Sequence, residues 1–384
     1  MLVTMSIPRR NLFRGFAAGI CAGTATPLLG DLNLASTAGP MAADQSSGLI
    51  RLDRNENPYG PSDKAIEAIT ASLHLSNRYP RGEYEALTEK IAYSHNVKPQ
   101  QVILGAGSRE ILWMAAKAYL SSGKRLVLAS PTFEAVADFA KFGGAEVVAV
   151  PLNKLFQHDL DGMLVRITNA GGLIYICNPN NPTGSLTPRK DIEAFLTKLP
   201  STATVLIDEA YHDYVLATSG YASFLDQPVD DPRVIVLRTF SKIYGLAGLR
   251  VGYAIASPQA VVKLSANRPQ WSVSVAATRA AAAALEDSDY IRFSAKRNTD
   301  DRQEFYNREN AYMLGSIDSH TNFVMLRTGL PSAKVLDHFK KHNVLLGPPI
   351  PPMDKYIRVS LGLPEEMREF WRVWDLLPPH PMAM

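Results

Sequence analysis

Thr239-Phe240-Ser241-Lys242-Ile243-Tyr244-Gly245-Leu246-Ala247-Gly248-Leu249-Arg250-Val251-Gly252 decides how this chain is read. One lysine stands among hydroxyls and glycines, and an arginine follows eight residues later. The apolar run Val234-Ile235-Val236-Leu237 precedes it, so a buried strand delivers the lysine to a loop. A protonated lysine is a poor nucleophile, and a site that uses one must lower its pKa. Hydroxyls beside an arginine suit a phosphate. Lysine and phosphate cradle together suggest a Schiff base to pyridoxal 5′-phosphate; the plain alternative is a solvated surface loop.

Working outward, residues 126–128, 147–150, 173–176, 205–207 and 234–237 are short continuous apolar runs. Such runs suit strands buried on both faces of a mostly parallel sheet, and residues 251–256 read as a further strand. Residues 108–120 carry apolar side chains at helical spacing. The expected class is α/β, with a large domain whose mostly parallel sheet lies between helices. Beyond it, helical stretches at 274–285, 290–314 and 332–343 alternate with strands at 322–326 and 356–360, an α+β pattern that suggests a smaller domain. The expected division is an N-terminal arm contributing to the small domain at 49–76, the large domain at 77–273 and the small domain at 274–377.

Ligands in such sheets sit beyond the C-terminal ends of the strands. Asn181-Pro182-Thr183-Gly184, Asp208-Glu209-Ala210-Tyr211 and Lys242 each follow a predicted strand and can face one pocket. Asp208 would hold a pyridine nitrogen protonated, making the ring an electron sink. Tyr211 and Asn181 can hydrogen-bond the ring hydroxyl, and Lys242 can carry the cofactor and shuttle a proton. Thr239, Ser241 and Arg250 can bind its phosphate, and Gly107, Ser108 and Arg109 open a helix whose free N–H groups offer a second contact. Phe133 is placed to stack on the ring. Taken singly, Asp208 also fits a helix cap, Asn181 to Gly184 a plain turn, Ser108 an N-cap and Phe133 the core.

Composition narrows the rest. The 384 residues are 46% hydrophobic and 20% charged, as in a soluble globular protein. The net charge of +3 includes +2 from Arg9, Arg10 and Arg14 against Asp31, so the body is about neutral and nothing suggests nucleic-acid binding. Cys177 is the only cysteine outside the first 38 residues, which hold Cys21, and reads as a buried structural thiol. No His-Glu-x-x-His or Cys-x-x-Cys metal pattern occurs, and Gly105-Ala106-Gly107 lacks the third glycine of a dinucleotide fingerprint. Paired arginines, a short apolar stretch from 16 to 30 and small residues near 36–38 resemble a twin-arginine export signal, with no stable membrane anchor. The expected location is therefore periplasmic or exported, the alternative being cytoplasmic. The tail around Pro378 to Pro381 reads as disordered.

These segments, with Asn55-Glu56-Asn57-Pro58-Tyr59-Gly60, Arg78-Tyr79-Pro80 and Cys177-Asn178-Pro179-Asn180-Asn181-Pro182-Thr183-Gly184, resemble the class I/II, fold type I aminotransferases dependent on pyridoxal phosphate. The likeness runs over roughly residues 50 to 370 and favours the histidinol-phosphate aminotransferase-like branch. It implies transamination between an L-amino acid and a 2-oxo acid. It also implies a homodimer in which Tyr79 reaches the partner's cofactor phosphate, and Arg358 as the grip on the substrate α-carboxylate. Two departures stand out. Gly347 occupies the position where these enzymes carry an arginine for the substrate phosphate, and Arg81 replaces an acidic residue. A phosphorylated substrate would thereby lose a contact of about 1.5–3 kcal/mol. An apolar or aromatic amino acid fits Tyr59, Ile350 and Met353 better. Decarboxylase, lyase and oxidase chemistry on the same fold, and non-catalytic cofactor binding, are the alternatives.

Overall fold

The computed structural model describes residues 48–216, 220–226, 228 and 230–378. The twin-arginine segment, Cys21 and the tail from 379 onward lie outside the described residues. The strands are β1 (Ile50–Leu52), β2 (Val102–Gly105), β3 (Arg125–Ser130), β4 (Glu146–Pro151), β5 (Gly172–Cys177) and β6 (Ala203–Asp208). They continue as β7 (Val234–Thr239), β8 (Gly252–Ala256), β9 (Gly315–Ile317), β10 (Phe323–Arg327), β11 (Val344–Leu346) and β12 (Tyr356–Ser360).

Seven strands form the central sheet in the order β2-β8-β7-β6-β5-β3-β4. Only β8 runs against the rest, pairing antiparallel with both β2 and β7. Every residue of β6 and β7 is buried. Val205 and Ile207 enter one core while Leu206 enters the other, and Val236 and Leu237 part in the same way. Two covered faces are the reason these strands read as unbroken apolar runs. The run at 147–150 departs from that expectation. It belongs to β4, the last strand in the order, where Ala149 is exposed and Val147 and Val148 are half-buried. An edge strand has a neighbour on one side only, and the helical cover ends with it.

The C-terminal part is built on a three-stranded antiparallel sheet, β12-β10-β9, over a third apolar cluster. Phe305 of the helix Ser288–Ala311 and Phe370 and Trp371 of the helix Pro364–Asp375 fill it. β1 pairs in parallel with β11, so a segment from the start of the described chain joins one from near its end. The helices run at Ser108–Tyr119, Val275–Leu285, Ser288–Ala311 and Ser332–Lys341, within a few residues of the expected spans. Among the described residues, no helix is long and apolar enough to cross a membrane.

Candidate active site

β5, β6 and β7 are adjacent and parallel, so their C-terminal ends fall side by side. Asp208 closes β6, and Asn181 and Lys242 follow the ends of β5 and β7. The antiparallel β8 starts at the same rim. Its Gly252 pairs with Thr239 on one side and with Gly105 on the other. This one reversal brings the Gly107–Ser108 turn, the Thr239–Ser241 loop and Arg250 to a single place. Gly252 has to be glycine: a Cβ there would lie 2.6 Å from the Ser108 amide nitrogen.

The helix Ser108–Tyr119 begins with Gly107 as its N-cap, at φ 74°, and Ser108 is its first helical residue rather than its cap. No side chain caps this end, which leaves helix N–H groups available to an anion. Arg250, itself in the left-handed region at φ 56°, donates to Ser241 Oγ (3.3 Å) and to the Ala247 carbonyl (2.9 Å). Thr239 Oγ1 accepts from the Ser241 N–H (3.1 Å). The Arg109 guanidinium lies over the Phe139 ring, 5.4 Å from its centre, and lines one cavity with Ala106 and Arg250. Phe133 is half-buried against the second core cluster, beyond the end of β3.

Asp208 is 3% exposed. Its Oδ2 accepts from the Tyr175 hydroxyl (2.8 Å) and its Oδ1 from the Ala210 N–H (3.1 Å). Burial raises its carboxyl to about 6, against the lowering effect of the Tyr175 bond. Burial and the positive charges of Arg358 and Arg250 bring the Lys242 amine down to about 8. That amine donates to the backbone carbonyls of Asn55 (2.9 Å) and Arg54 (3.1 Å) and lies 5.5 Å from the centre of the Tyr211 ring. The Tyr211 hydroxyl accepts from Asn55 Nδ2 (3.0 Å), and burial raises its pKa. Cys177 is buried at the end of β5, and burial raises its thiol too, which leaves it inert.

Arg358 reaches in from β12. Its Nη1 donates to Asn181 Oδ1 (2.8 Å) and its Nη2 to the Asp53 carbonyl (2.8 Å). Its Nε is buried without a partner among the described residues, and burial lowers its pKa. Two further predicted residues are Tyr59 and Tyr79. The Tyr59 hydroxyl donates to Asp301 (2.8 Å) and accepts from Arg297 (2.8 Å), both on the helix Ser288–Ala311, and burial lifts it to about 12. That engagement holds the Tyr59 hydroxyl on the helix, while Asn57 and Gly60 on either side lie against Ile243 and Gly245 of the lysine loop. Tyr79 is 81% exposed and makes no part of this chain's own cluster.

Sequence reasoning passed over Tyr175, Asn55, Ser360 and Asn322. Asn55 was visible only as part of the Asn55-to-Gly60 segment. Tyr175 had one usable signal, a hydroxyl inside an otherwise apolar strand.

The donor set fits pyridoxal 5′-phosphate. Helix N–H groups, two hydroxyls and Arg250 suit the phosphate dianion, the buried Asp208 suits a protonated ring nitrogen, and Lys242 suits the aldehyde. A Cβ on Gly107 would fill this cradle, lying 2.8 Å from Arg250 Cζ. The sequence of residues 47–372 matches the model of the family described as aminotransferase class I and II.

The chain belongs to the class I and II aminotransferases.

Among its relatives, the histidinol-phosphate aminotransferase of Staphylococcus carnosus (strain TM300) is 38% identical over 318 residues, 83% of this chain and 88% of that one. The enzyme of the same description from Caldicellulosiruptor saccharolyticus is 37% identical over 323 residues, 84% of this chain and 90% of that one. The crystal structure of histidinol-phosphate aminotransferase from Sinorhizobium meliloti in complex with pyridoxal 5′-phosphate superposes with a TM-score of 0.79 at 27% identity. It covers 88% of this chain and 93% of that one. The protein is thus a pyridoxal-phosphate-dependent aminotransferase of the histidinol-phosphate aminotransferase-like branch, acting on amino and 2-oxo acids.

Proposed function

We propose that this aminotransferase acts on an α-amino acid with an apolar or aromatic side chain, rather than on histidinol phosphate. The observation that carries this reading is the setting of Arg358. Its buried, unpartnered Nε calls for an acceptor, and a carboxylate answers a guanidinium with two parallel bonds. The residue across from Arg358 on the neighbouring strand is Met325. Met325 packs with Ile317, Met353, Phe156, Ile350 and Tyr356 into an apolar cluster. Gly347 brings no cation to this neighbourhood for a substrate phosphate.

Bound pyridoxal 5′-phosphate supplies the electron sink that lets the substrate Cα–H bond ionise. Gly107, Ser108, Thr239, Ser241 and Arg250 would hold its phosphate, and Asp208, Tyr211 and Asn181 its ring. Arg358 orients the amino acid through its carboxylate. Lys242 Nζ, lowered to about 8, is neutral often enough near neutral pH to take the proton from Cα.

The relatives' descriptions favour a second reading, in which histidinol phosphate is the amino donor. Steady-state assays of the purified enzyme with 2-oxoglutarate decide between the two. At least tenfold higher kcat/KM for an apolar or aromatic amino acid than for histidinol phosphate is expected; the reverse order would sink the first reading.

A homodimer is proposed on the same footing, with the exposure of Tyr79 as support for its reaching a partner's cofactor phosphate. Sedimentation should give twice the chain mass, and Tyr79→Phe should weaken cofactor binding. Arg9 and Arg10 support export by the twin-arginine route. Cell fractionation of the wild type and of Arg9→Lys/Arg10→Lys tests this, and wholly cytoplasmic wild-type protein would refute it.

A further inference from the structure

Asn55 is 1% exposed, although it lies in a segment without regular secondary structure. Its backbone sits in the left-handed region, at φ 53°, which asparagine tolerates better than most residues. Every polar group it carries is engaged. The carbonyl accepts from Lys242 Nζ (2.9 Å) and from Asn322 Nδ2 (3.1 Å). Nδ2 donates to the Tyr211 hydroxyl (3.0 Å). Oδ1 accepts from Ser360 Oγ (3.0 Å), and the N–H donates to the same oxygen (2.8 Å).

These partners come from different layers of the molecule. Lys242 and Tyr211 follow the ends of β7 and β6. Ser360 closes β12, two residues beyond Arg358 and therefore on the same face of that strand. Asn322 leads into β10, the strand paired with β12, and also binds the Glu56 carbonyl (3.0 Å). One residue thus joins the lysine, a tyrosine beside it and the strand that bears the carboxylate-binding arginine.

We propose that Asn55 is a positioning residue that parks the free Lys242 amine on its left-handed backbone carbonyl and, through its side chain, ties Tyr211 to the strand carrying Arg358. The carbonyl arm depends on the backbone conformation and the side-chain arm on the amide, so two substitutions separate them. Asn55→Gly keeps the left-handed backbone and deletes the amide. Asn55→Ala deletes the amide and disfavours the backbone. Ser360→Ala removes one hydroxyl and nothing else.

The test uses the holoenzyme in its pyridoxamine 5′-phosphate form, in which the Lys242 amine is free. Acetylation of Lys242 by acetic anhydride at pH 10 is followed by mass spectrometry, beside kcat and KM for the best amino acid. Asn55→Ala should acetylate at least threefold faster than wild type, and Asn55→Gly at the wild-type rate. Asn55→Gly and Ser360→Ala should each raise KM about threefold to tenfold, the loss expected of one or two net hydrogen bonds. The labelling arm needs no turnover, so a wrong substrate assignment leaves it intact. Wild-type labelling in Asn55→Ala, or wild-type KM in both Asn55→Gly and Ser360→Ala, would overturn the proposal. If Asn55→Ala does not fold, labelling of Asn55→Asp, which keeps the size and loses the donor, should stay at the wild-type rate while its KM rises; faster labelling there would count against the separate arms.

Discussion

The Arg250 guanidinium fills the space above Gly107 that any other residue's Cβ would need. Such a Cβ would lie 2.8 Å from Arg250 Cζ, and the glycine's φ of 74° already disfavours a side chain. Gly107→Ala should therefore displace Arg250 from the phosphate cradle. We expect cofactor affinity to fall at least tenfold, about 1.4 kcal/mol, by equilibrium dialysis. An unchanged dissociation constant would remove Arg250 from the cradle.

Arg358→Lys keeps the charge and loses the planar fork. Its contacts to Asn181 Oδ1 and the Asp53 carbonyl leave one guanidinium edge for a substrate carboxylate. kcat/KM for the amino acid should fall by roughly tenfold to a hundredfold, with the visible spectrum of the bound cofactor unchanged. A spectrum that shifts instead would mean that the arginine acts on the cofactor pocket.

Lys242 gives stability a pH dependence in the cofactor-free protein. Its amine falls from 10.5 in the ordinary range to about 8 in the fold, chiefly through burial. Between those values the unfolded chain binds more protons than the folded one, so stability rises with pH across that window. The penalty is fully present below pH 8. Urea unfolding of wild type and Lys242→Met from pH 7 to 10.5 should show the wild type gaining on the variant as pH rises. A constant difference would contradict the lowered pKa.

Behind the site, Arg238 Nε donates to Glu209 Oε2 (2.9 Å), with both side chains almost wholly buried. Ser223 adds bonds to each, 2.6 Å to Glu209 and 2.8 Å to Arg238. Glu209 follows Asp208 and Arg238 precedes Thr239, so the pair fastens the two strand ends that carry the site. Glu209→Gln removes the nearer of two acidic partners of the buried guanidinium, leaving Asp213 at 3.8 Å from Nη1, and should lower stability by up to about 3–5 kcal/mol. Adding Arg238→Met should recover part of that loss in the same denaturation experiment, and additive losses would argue against a coupled pair.

Much of this was legible before folding was considered. Unbroken apolar runs announced β5, β6 and β7, because a strand covered on both faces has no polar side to show. The residues just after them are the strand ends, so Asp208, Asn181 and Lys242 could be placed in one pocket from order alone. β2, β9 and β11 were harder: each is three or four residues long, too short for a period to register. The partners of the Tyr59 hydroxyl could not be read, because an aromatic in a recognised segment says nothing of where its hydroxyl points. Arg297 and Asp301, more than 230 residues on, settle that.

Residue type and order alone carry the chemistry: a lysine, a carboxylate at a strand end, a phosphate cradle and the α/β order that presents them. Those are local patterns of residue type and spacing, and they survive being read one segment at a time. Tertiary structure decided how the groups are tuned and joined. Burial, not residue type, raises Asp208 and lowers Lys242. The reversal of β8 brings Arg250 over Gly107, and Asn55 gathers partners up to 305 residues away. Desolvation and contact between distant segments exist only once the chain has folded.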